Sequence, residues 1–460
     1  MTELFKHQRE GLEYAKEGCR AFFWECGTGK SCLGLNIVKH FKDKGLGPAL
    51  VVCPLSIIES AWIEDCRKFT PQLSIVNLWD KKPANRKKKL AEDYDIYVAN
   101  YETFKKLYDG IVAKDFAVLI VDESSKMKSP VSGITKSLLS LAGIGPAASK
   151  KYPTRKKPVP YRYVLSGTPA PNDELEYWAQ IKFVTGPGNE VFHDNYYVFR
   201  SRYAASIPVG PVQKIWRFRS SMRSEFSQKL ARVSHVVAKA DAVDLPAQVH
   251  EIRHVRLCGD ERRAYRTMAE QLVLRFAGED VLASNALVEL MKLRQLTSGF
   301  CYGDNGIYQT GTSKLAECGS LLEQIGDKQV IIWCSFKHEI GQLLKRLPSS
   351  AALWSGTPDR EAVIEGFKAG QYQYLIAHPR SAAHGLTFTN CNYAVYFSLN
   401  YSYEDQKQSQ DRIHRIGQKM PCTYYYLVAT DTIDEVVHKA LADKAKLSSR
   451  LLDYLREKKT

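Results

Sequence analysis

Three short stretches hold residues whose types and spacing suit phosphoryl chemistry. The first is ECGTGKS, residues 25–31. Gly27, Thr28 and Gly29 form a short loop, and its glycines let the backbone turn N–H groups inward toward an anion. Lys30 and Ser31 open the helical pattern SCLGLNIVKHF (31–41), so the loop lies at a helix N-terminus, where phosphate is favoured. In a phosphate loop of the form GxxxxGK[ST], Lys30 reaches the β- and γ-phosphates and the Ser31 hydroxyl ligates Mg²⁺. The full pattern asks for glycine at position 24, where this chain has Trp24. The second stretch is VLIVDESS (118–125), with Asp122 and Glu123 at the carboxyl end of a continuous apolar run. In parallel sheets, ligands gather at that end of the strands. Asp122 is expected to hold Mg²⁺ through water, and Glu123 to orient and deprotonate an attacking water. The third is QSQDRIHRIGQ (408–418), in which Arg412 and Arg415 stand three apart. On a helix that spacing is one face, so both guanidinium groups are expected to meet one anionic target.

These residues need elements to position them. Strand-length apolar runs recur as PALVVC (48–53), SIVNLW (74–79), DIYVAN (95–100), AVLIVD (117–122) and YRYVLS (161–166). Helical patterns lie between them, for example SIIESAWIEDCRKF (56–69). The alternation implies a parallel sheet with crossover helices. The scheme returns in VIIWCS (330–335), AALWSG (351–356), YQYLIA (372–377), AVYFS (394–398) and TYYYLV (423–428). Two α/β blocks are therefore expected, with a mostly helical and irregular stretch over 174–300 between them. The polar segment KADAVDLPAQ (239–248) reads as a hinge, because Pro246 forces an extended residue before it. The last segment, from TIDEVV onward, reads as one or two amphipathic helices. VLSGTPAPN (164–172) ends a strand with Ser166 and Thr168, small hydroxyls suited to relaying nucleotide state.

Composition narrows the partners. The chain has 460 residues, 44% apolar and 25% charged, enough to bury full cores. Its net charge of +15 favours a polyanion, with nucleic acid foremost. KKPANRKKK (81–89) and KKYPTRKKPVPYR (150–162) concentrate that charge, as solvated loops or as phosphate contacts. No apolar run approaches the roughly 20 residues of a membrane span, and MTELFKHQRE lacks the layout of an export leader. The cysteines are scattered singly, which predicts a reducing, cytoplasmic setting with neither a disulfide framework nor a zinc site.

Taken together, the motifs resemble those of the Swi/Snf-type ATPases of helicase superfamily two. LFKHQREGL (4–12), ECGTGKS, VVCPLSIIESAWIEDCRKF (51–69), ANYETF (99–104), VDESSKMKSP (121–130) and LSGTPAPN (165–172) fall in the family's order. VIIWCSF (330–336), HGLTFTNCN (384–392), QSQDRIHRIGQ and TIDEVV (432–437) follow in the same order. The spelling HPRSAAHGLTF (378–388) and the short insertions look most like the compact members carried by bacteriophages. The resemblance implies two RecA-like P-loop lobes, parallel sheets flanked by helices, with a helical insertion between them. Lobe 1 would span 1–235 with a helical extension at 174–235; a hinge and helical part would cover 236–310, and lobe 2 would span 311–460. It also implies ATP and Mg²⁺ as cofactors, Gln8 as the reader of adenine, and Gln408 as a further nucleotide contact. DNA contacts are implied at Ser56, Thr103 and Lys126 in the first block and at Ser335, Lys337 and Thr387 in the second. Lys30 and Glu123 belong to one block and Arg412 and Arg415 to the other, so nucleotide is expected to draw the blocks together and hydrolysis to release them.

The implied activity is ATP-driven translocation along duplex or branched DNA, by a monomer that grips any sequence, on replication forks or recombination intermediates of viral DNA, with branch migration included. A nucleic-acid scaffold without hydrolysis and an RNA unwinder are the competing readings. Three departures stand out. Ser125 replaces the histidine of DEAH, which is expected to loosen the link between the acids and LSGTP; Ala382 and Ala383 replace a glycine pair; and Thr387 replaces asparagine.

Overall fold

A computed structural model describes residues 4–18, 20–145, 151–188, 191–208, 214–242, 245–278, 283–382 and 386–443. It divides into two compact units between Asp244 and Leu245, inside the polar stretch that carries Pro246. In the first unit, the chain enters through helix α1 (Lys6–Lys16), strand β1 (Arg20–Trp24) and helix α2 (Lys30–Asp43). Then follow β2 (Ala49–Cys53), β3 (Ile75–Asn77), β4 (Ile96–Asn100), β5 (Val118–Asp122) and β6 (Tyr161–Leu165). A two-stranded antiparallel hairpin, β7 (Ala204–Pro208) and β8 (Lys214–Phe218), precedes β9 (Ser234–Val237). The main sheet is wholly parallel in the order β3-β4-β2-β5-β6-β1-β9.

Burial on both faces explains the unbroken apolar runs of these strands. Phe23, Val52, Val121 and Val164 enter one core, while Phe22, Trp24, Val51, Ile120 and Leu165 enter the other. That is the two-residue alternation of a strand seen from both sides. The order also does functional work. The carboxyl ends of β5, β6 and β1 are consecutive, and Leu165 pairs with Asp122 on one side and with Phe22 on the other. The glycine loop after β1, the Ser166–Thr168 turn after β6 and the acids ending β5 therefore open on the same edge.

The second unit holds β10 (Gln248–Val255), a small hairpin of β11 (Phe300–Gly303) and β12 (Gly306–Gln309), then β13 (Val330–Trp333) and β14 (Ser350–Leu353). It continues through β15 (Tyr374–Ala377), β16 (Tyr393–Tyr396) and β17 (Cys422–Ala429). Its main sheet is again parallel, ordered β10-β17-β16-β13-β15-β14, with buried residues on both faces.

The stretch expected to be helical and irregular contributes strands as well. β9 adds an edge to the first sheet across position 235, and β10 adds an edge to the second. Both escape a hydrophobic reading for physical reasons. β9 is only four residues long, and β10 is largely solvated along QVHEIRHV, as an edge strand can be. The closing segment is helical over 433–443; the helices expected beyond it, like Ala383, lie outside the described residues.

Candidate active site

β1 delivers the chain to the phosphate loop. Gly27 and Gly29 both adopt φ of 84°, in the left-handed region that glycine enters freely, and Gly29 caps α2. Trp24, which stands at the missing-glycine position, is still inside the strand: its ring is buried and its Nε1–H donates to His235 Nδ1 at 3.0 Å. The loop therefore turns without needing glycine there. Two neighbours hold it from α1. The His7 Nε2 atom lies 2.8 Å from Thr28 O, and Gln8 fills the space that a Cβ on Gly29 would need. The Gln8 amide also accepts from Phe5 N at 3.0 Å, so its expected adenine-reading group is engaged with the first turn of α1. Lys30 is 9% exposed, with Nζ 3.0 Å from Trp24 O and 3.3 Å from Glu25 O. The Ser31 hydroxyl donates to Asp65 Oδ2 at 2.6 Å. Asp65 was not singled out by sequence; the hydroxyl that donates to it keeps its oxygen lone pairs for a metal.

The acids are held more elaborately. Asp122 accepts from Trp62 Nε1 at 3.0 Å and from the Glu123 N–H at 2.9 Å. The Tyr101 hydroxyl donates to Asp122 O at 2.7 Å and reaches Glu123 O at 3.2 Å. Glu123 takes φ of 51°, costly for a residue with a Cβ and a frequent mark of functional sites. Its Oε2 is buried with no hydrogen-bond partner among the described residues. Burial drives the Asp122 carboxyl above its ordinary value, and the Glu123 charge adds to this while Lys30 opposes it. Two buried carboxyls, one with an unpartnered oxygen, form a site that gains from a hard cation taking oxygen ligands.

The turn after β6 closes against the same loop. A Cβ at Gly167 would come within 3.1 Å of Cys26 N and 3.5 Å of Lys30 Nζ, a tight fit that glycine relieves. Ser166 Oγ accepts from Thr168 N at 3.2 Å, and the buried Thr168 hydroxyl has no partner among the described residues. Sequence singled out Ser166 and Thr168 but passed over Gly167, Trp62, Tyr101 and His7 as site-builders. Their types carried no mark, because core aromatics and turn glycines look alike everywhere.

In the second unit the arginines depart from expectation. The helix Tyr403–Gln410 ends before them, and residues 411–418 form successive turns. Side chains hold those turns: Gln418 Nε2 donates to Ile413 O and Cys391 O, and His414 Nε2 lies 2.8 Å from Pro246 O. Arg412 is consequently buried, donating to Gln408 O and Leu386 O at 2.9 and 2.8 Å. Arg415 is half-buried, with Nη1 3.1 Å from Thr387 Oγ1. The two guanidinium groups do not share a helix face. Gln408 is buried, its amide 3.5 Å from Glu404 Oε1.

Family profiles fit these features. The SNF2-related domain matches residues 7–299 and the helicase conserved C-terminal domain matches residues 313–417. The chain belongs to the SNF2-related family. It is a nucleic-acid-dependent ATPase of that family. Protein p41 of Acyrthosiphon pisum secondary endosymbiont phage 1 is 27% identical over 94% of both chains. The human DNA excision repair protein ERCC-6 is 22% identical over 98% of this chain, which spans 32% of that protein. Among solved structures, the Sulfolobus solfataricus SWI2/SNF2 ATPase core in complex with dsDNA is 20% identical, covering 99% of this chain and 95% of that one at a TM-score of 0.45. Among the described residues, no helix is long and apolar enough to cross a membrane.

The expected DNA contacts of this SNF2-related ATPase divide by exposure. Ser56, Lys126 and Lys337 are exposed, and Lys337 Nζ stands 5.2 Å over the Trp354 ring. Ser335 is half-buried, its hydroxyl donating to Ser398 O at 3.2 Å. Thr387 carries the Arg415 contact. Thr103 departs from its expected place: it is 1% exposed inside the helix Tyr101–Lys106. The helix turns that position inward, where Thr103 N donates to Asn100 Oδ1, and presents Glu102 and Lys106 outward.

Proposed function

We propose that this ATPase turns over ATP at the β1–β6–β5 edge of its first lobe and uses the cycle to move along duplex or branched DNA. The single observation that carries the reading is the Glu123 carboxylate: strained in backbone, buried, unpartnered at Oε2 among the described residues, and set beside Asp122 behind the Lys30 loop. In this reading, the inward N–H groups of Gly27, Thr28 and Gly29 with Lys30 bind the phosphates. Glu123 orients a water and accepts its proton as the oxygen attacks the γ-phosphorus and the bond to the β–γ bridging oxygen breaks, releasing ADP and phosphate. Ser31 and Asp122 would hold Mg²⁺, which when bound neutralises charge on the β- and γ-phosphate oxygens. Arg415 is the external guanidinium of the reaction, and buried Arg412 is the residue that shapes its turn. Gln8 serves the nucleotide through the loop it packs on.

Ser56 and Lys126 on the first lobe, with Ser335, Lys337 and Thr387 on the second, then serve as phosphate contacts, indifferent to base sequence. We assign the boundaries of the lobes at the polar stretch around Pro246. The cellular use we favour is remodelling of replication forks or recombination intermediates, branch migration included, in viral DNA. A scaffold without hydrolysis is disfavoured by the intact Lys30, Asp122, Glu123 and Arg415.

One panel tests this: ATP hydrolysis and strand displacement measured together on single-stranded, duplex, forked and four-way DNA, with RNA as comparator. The expected result is turnover raised most by duplex or branched DNA. Turnover that no DNA accelerates would reject translocation. Within the same panel, Arg415→Ala should lower kcat far more than ATP affinity, and equal losses would remove Arg415 from the reaction.

A further inference from the structure

The helix Tyr177–Thr185, YWAQIKFVT, is buried along most of its length, and in its middle stands a polar side chain with no solvent exposure, Gln180. An amide buried this deeply is costly unless both ends are satisfied. Here both are. Gln180 Oε1 accepts from Ser124 Oγ at 2.6 Å, and Nε2 donates to Pro169 O at 2.7 Å and to Glu176 O at 3.2 Å. One side chain thus ties the residue after Glu123 to the residue after Thr168. Both of those loops follow adjacent strands, β5 and β6, and each holds a buried oxygen without a partner among the described residues, Glu123 Oε2 and Thr168 Oγ1.

Ser124 also opens a single 3₁₀ turn, Ser124–Met127, that carries the exposed Lys126. Lys126 N–H donates to Glu123 O at 3.1 Å. A push on Lys126 from outside therefore reaches the Glu123 peptide directly, and the other end of the turn is fixed through Gln180 to the Thr168–Pro169 loop. At rest the Tyr101 hydroxyl still holds the Glu123 peptide at 3.2 Å, so the anchor matters under load: without it, a push on Lys126 shifts the turn against β6 and carries Glu123 with it.

We propose that Gln180 is a positioning residue that locks the Glu123 turn to the Thr168–Pro169 loop, and that acceleration of ATP hydrolysis by DNA passes through this link. The inference rests on the function proposed above. Gln180 touches no reacting atom; it sets where Glu123 stands when Lys126 is engaged.

The test compares wild type, Gln180→Met and Ser124→Ala in steady-state ATPase assays with and without saturating duplex DNA, alongside thermal melts. Gln180→Met removes all three hydrogen bonds at similar volume. Ser124→Ala is the gentler change, leaving the bond to Pro169 O in place. The expected result is a DNA-stimulated kcat about five- to tenfold lower, the lower end of usual coupling strengths. In Gln180→Met, basal kcat and the KM for ATP should stay within about twofold of wild type, as a link used only under DNA would leave them. The double variant should be no worse than Gln180→Met alone, since both changes break one link. Full stimulation in a folded Ser124→Ala and Gln180→Met pair would overturn the inference, as would equal losses of basal and stimulated kcat. If Gln180→Met fails to fold, Ser124→Ala decides by the same stimulated kcat. Wild type that DNA does not stimulate would instead reject the function on which the link depends.

Discussion

Glu123 is where chemistry and stability conflict most openly. Its charge lies beside Asp122, whose carboxyl is held above its ordinary value first by burial and then by that charge. A raised folded-state value means that ionising Asp122 costs folding free energy. This contribution is harmless below the ordinary carboxylate value of about 3.9, and stability is lost as pH rises from there through the raised value. Removing the neighbouring charge lowers the raised value and returns part of that loss. Glu123→Gln, melted without nucleotide and with metal chelated, should therefore gain stability at pH 8. Each unit of relief is about 1.4 kcal/mol, and each kcal/mol moves the melting temperature of a lobe this size by about 2–4 °C. The gain should fade toward pH 4, as protonation of Asp122 removes the repulsion that the variant relieves. The same variant should lose about two to four orders of magnitude in turnover, as expected for removal of a general base. An unchanged or lower melting temperature at pH 8 would show that the two carboxyls do not burden each other. Sequence placed both acids correctly at a strand end, since an apolar run ending in Asp-Glu is legible. It could not show the positive φ or the orphaned oxygen, which depend on where Tyr101 and Trp62 arrive from distant segments. Gln180 was equally hidden: a lone amide in YWAQIKFVT reads as a break in a core face until its two partners are seen.

Elements were legible where burial is two-sided and illegible where it is not. Runs such as ALVVC and VLIVD declare themselves because both faces need apolar residues. The edge strand QVHEIRHV and the hairpin strands AASIP and KIWRF carry no such signature. The end of a helix at Gln410 is set by contacts of Gln418 and His414, far from any capping sequence, which is why a two-arginine face was a reasonable expectation that the fold does not honour. The helix after the phosphate loop shows how packing fixes the acid from a distance. A Cβ on Gly34 of α2 would lie 2.6 Å from the Trp62 ring, and that ring is fully buried as it donates to Asp122. Two effects compete in Gly34→Ala. Alanine is better in a helix by about 1 kcal/mol, but overpacking against a rigid ring costs about 1–3 kcal/mol and displaces the donor of Asp122. Overpacking should win, giving a net loss in a chemical melt. In a Trp62→Phe background the smaller ring makes room, so the same substitution should become neutral or stabilising. Equal effects in both backgrounds would mean that Gly34 and Trp62 do not meet.

At the scale of the whole molecule, the charge of +15 needs a place to act, and the two basic runs prove to be different objects. The first is largely a helix, Pro83–Ala91, with Lys89 paired to Asp80 at 3.2 Å and Lys81, Lys82, Lys87 and Lys88 exposed. The second is a loop held down at intervals. Tyr152 is buried against Tyr108 at 5.1 Å between ring centres, and Arg155 donates to Lys114 O at 2.8 Å. Those anchors leave Lys151, Lys156 and Lys157 facing solvent, and the ion pair of Lys157 with Asp115, 3.6 Å apart on an exposed surface, constrains it little. Deleting the loop would remove Tyr152 from the core and confuse folding with binding, so the informative change is to the lysines alone. Each phosphate contact contributes about 0.9 to the slope of log affinity against log salt on duplex DNA. If the loop grips DNA, alanine at Lys151, Lys156 and Lys157 together should shallow that slope by about one to two units, with binding weakened alike on every sequence. A parallel variant at Lys81, Lys82, Lys87 and Lys88 locates any remaining slope. An unchanged slope in the first variant would return the loop to a solvated surface, and the track would then have to run where Ser56, Lys126 and Lys337 stand.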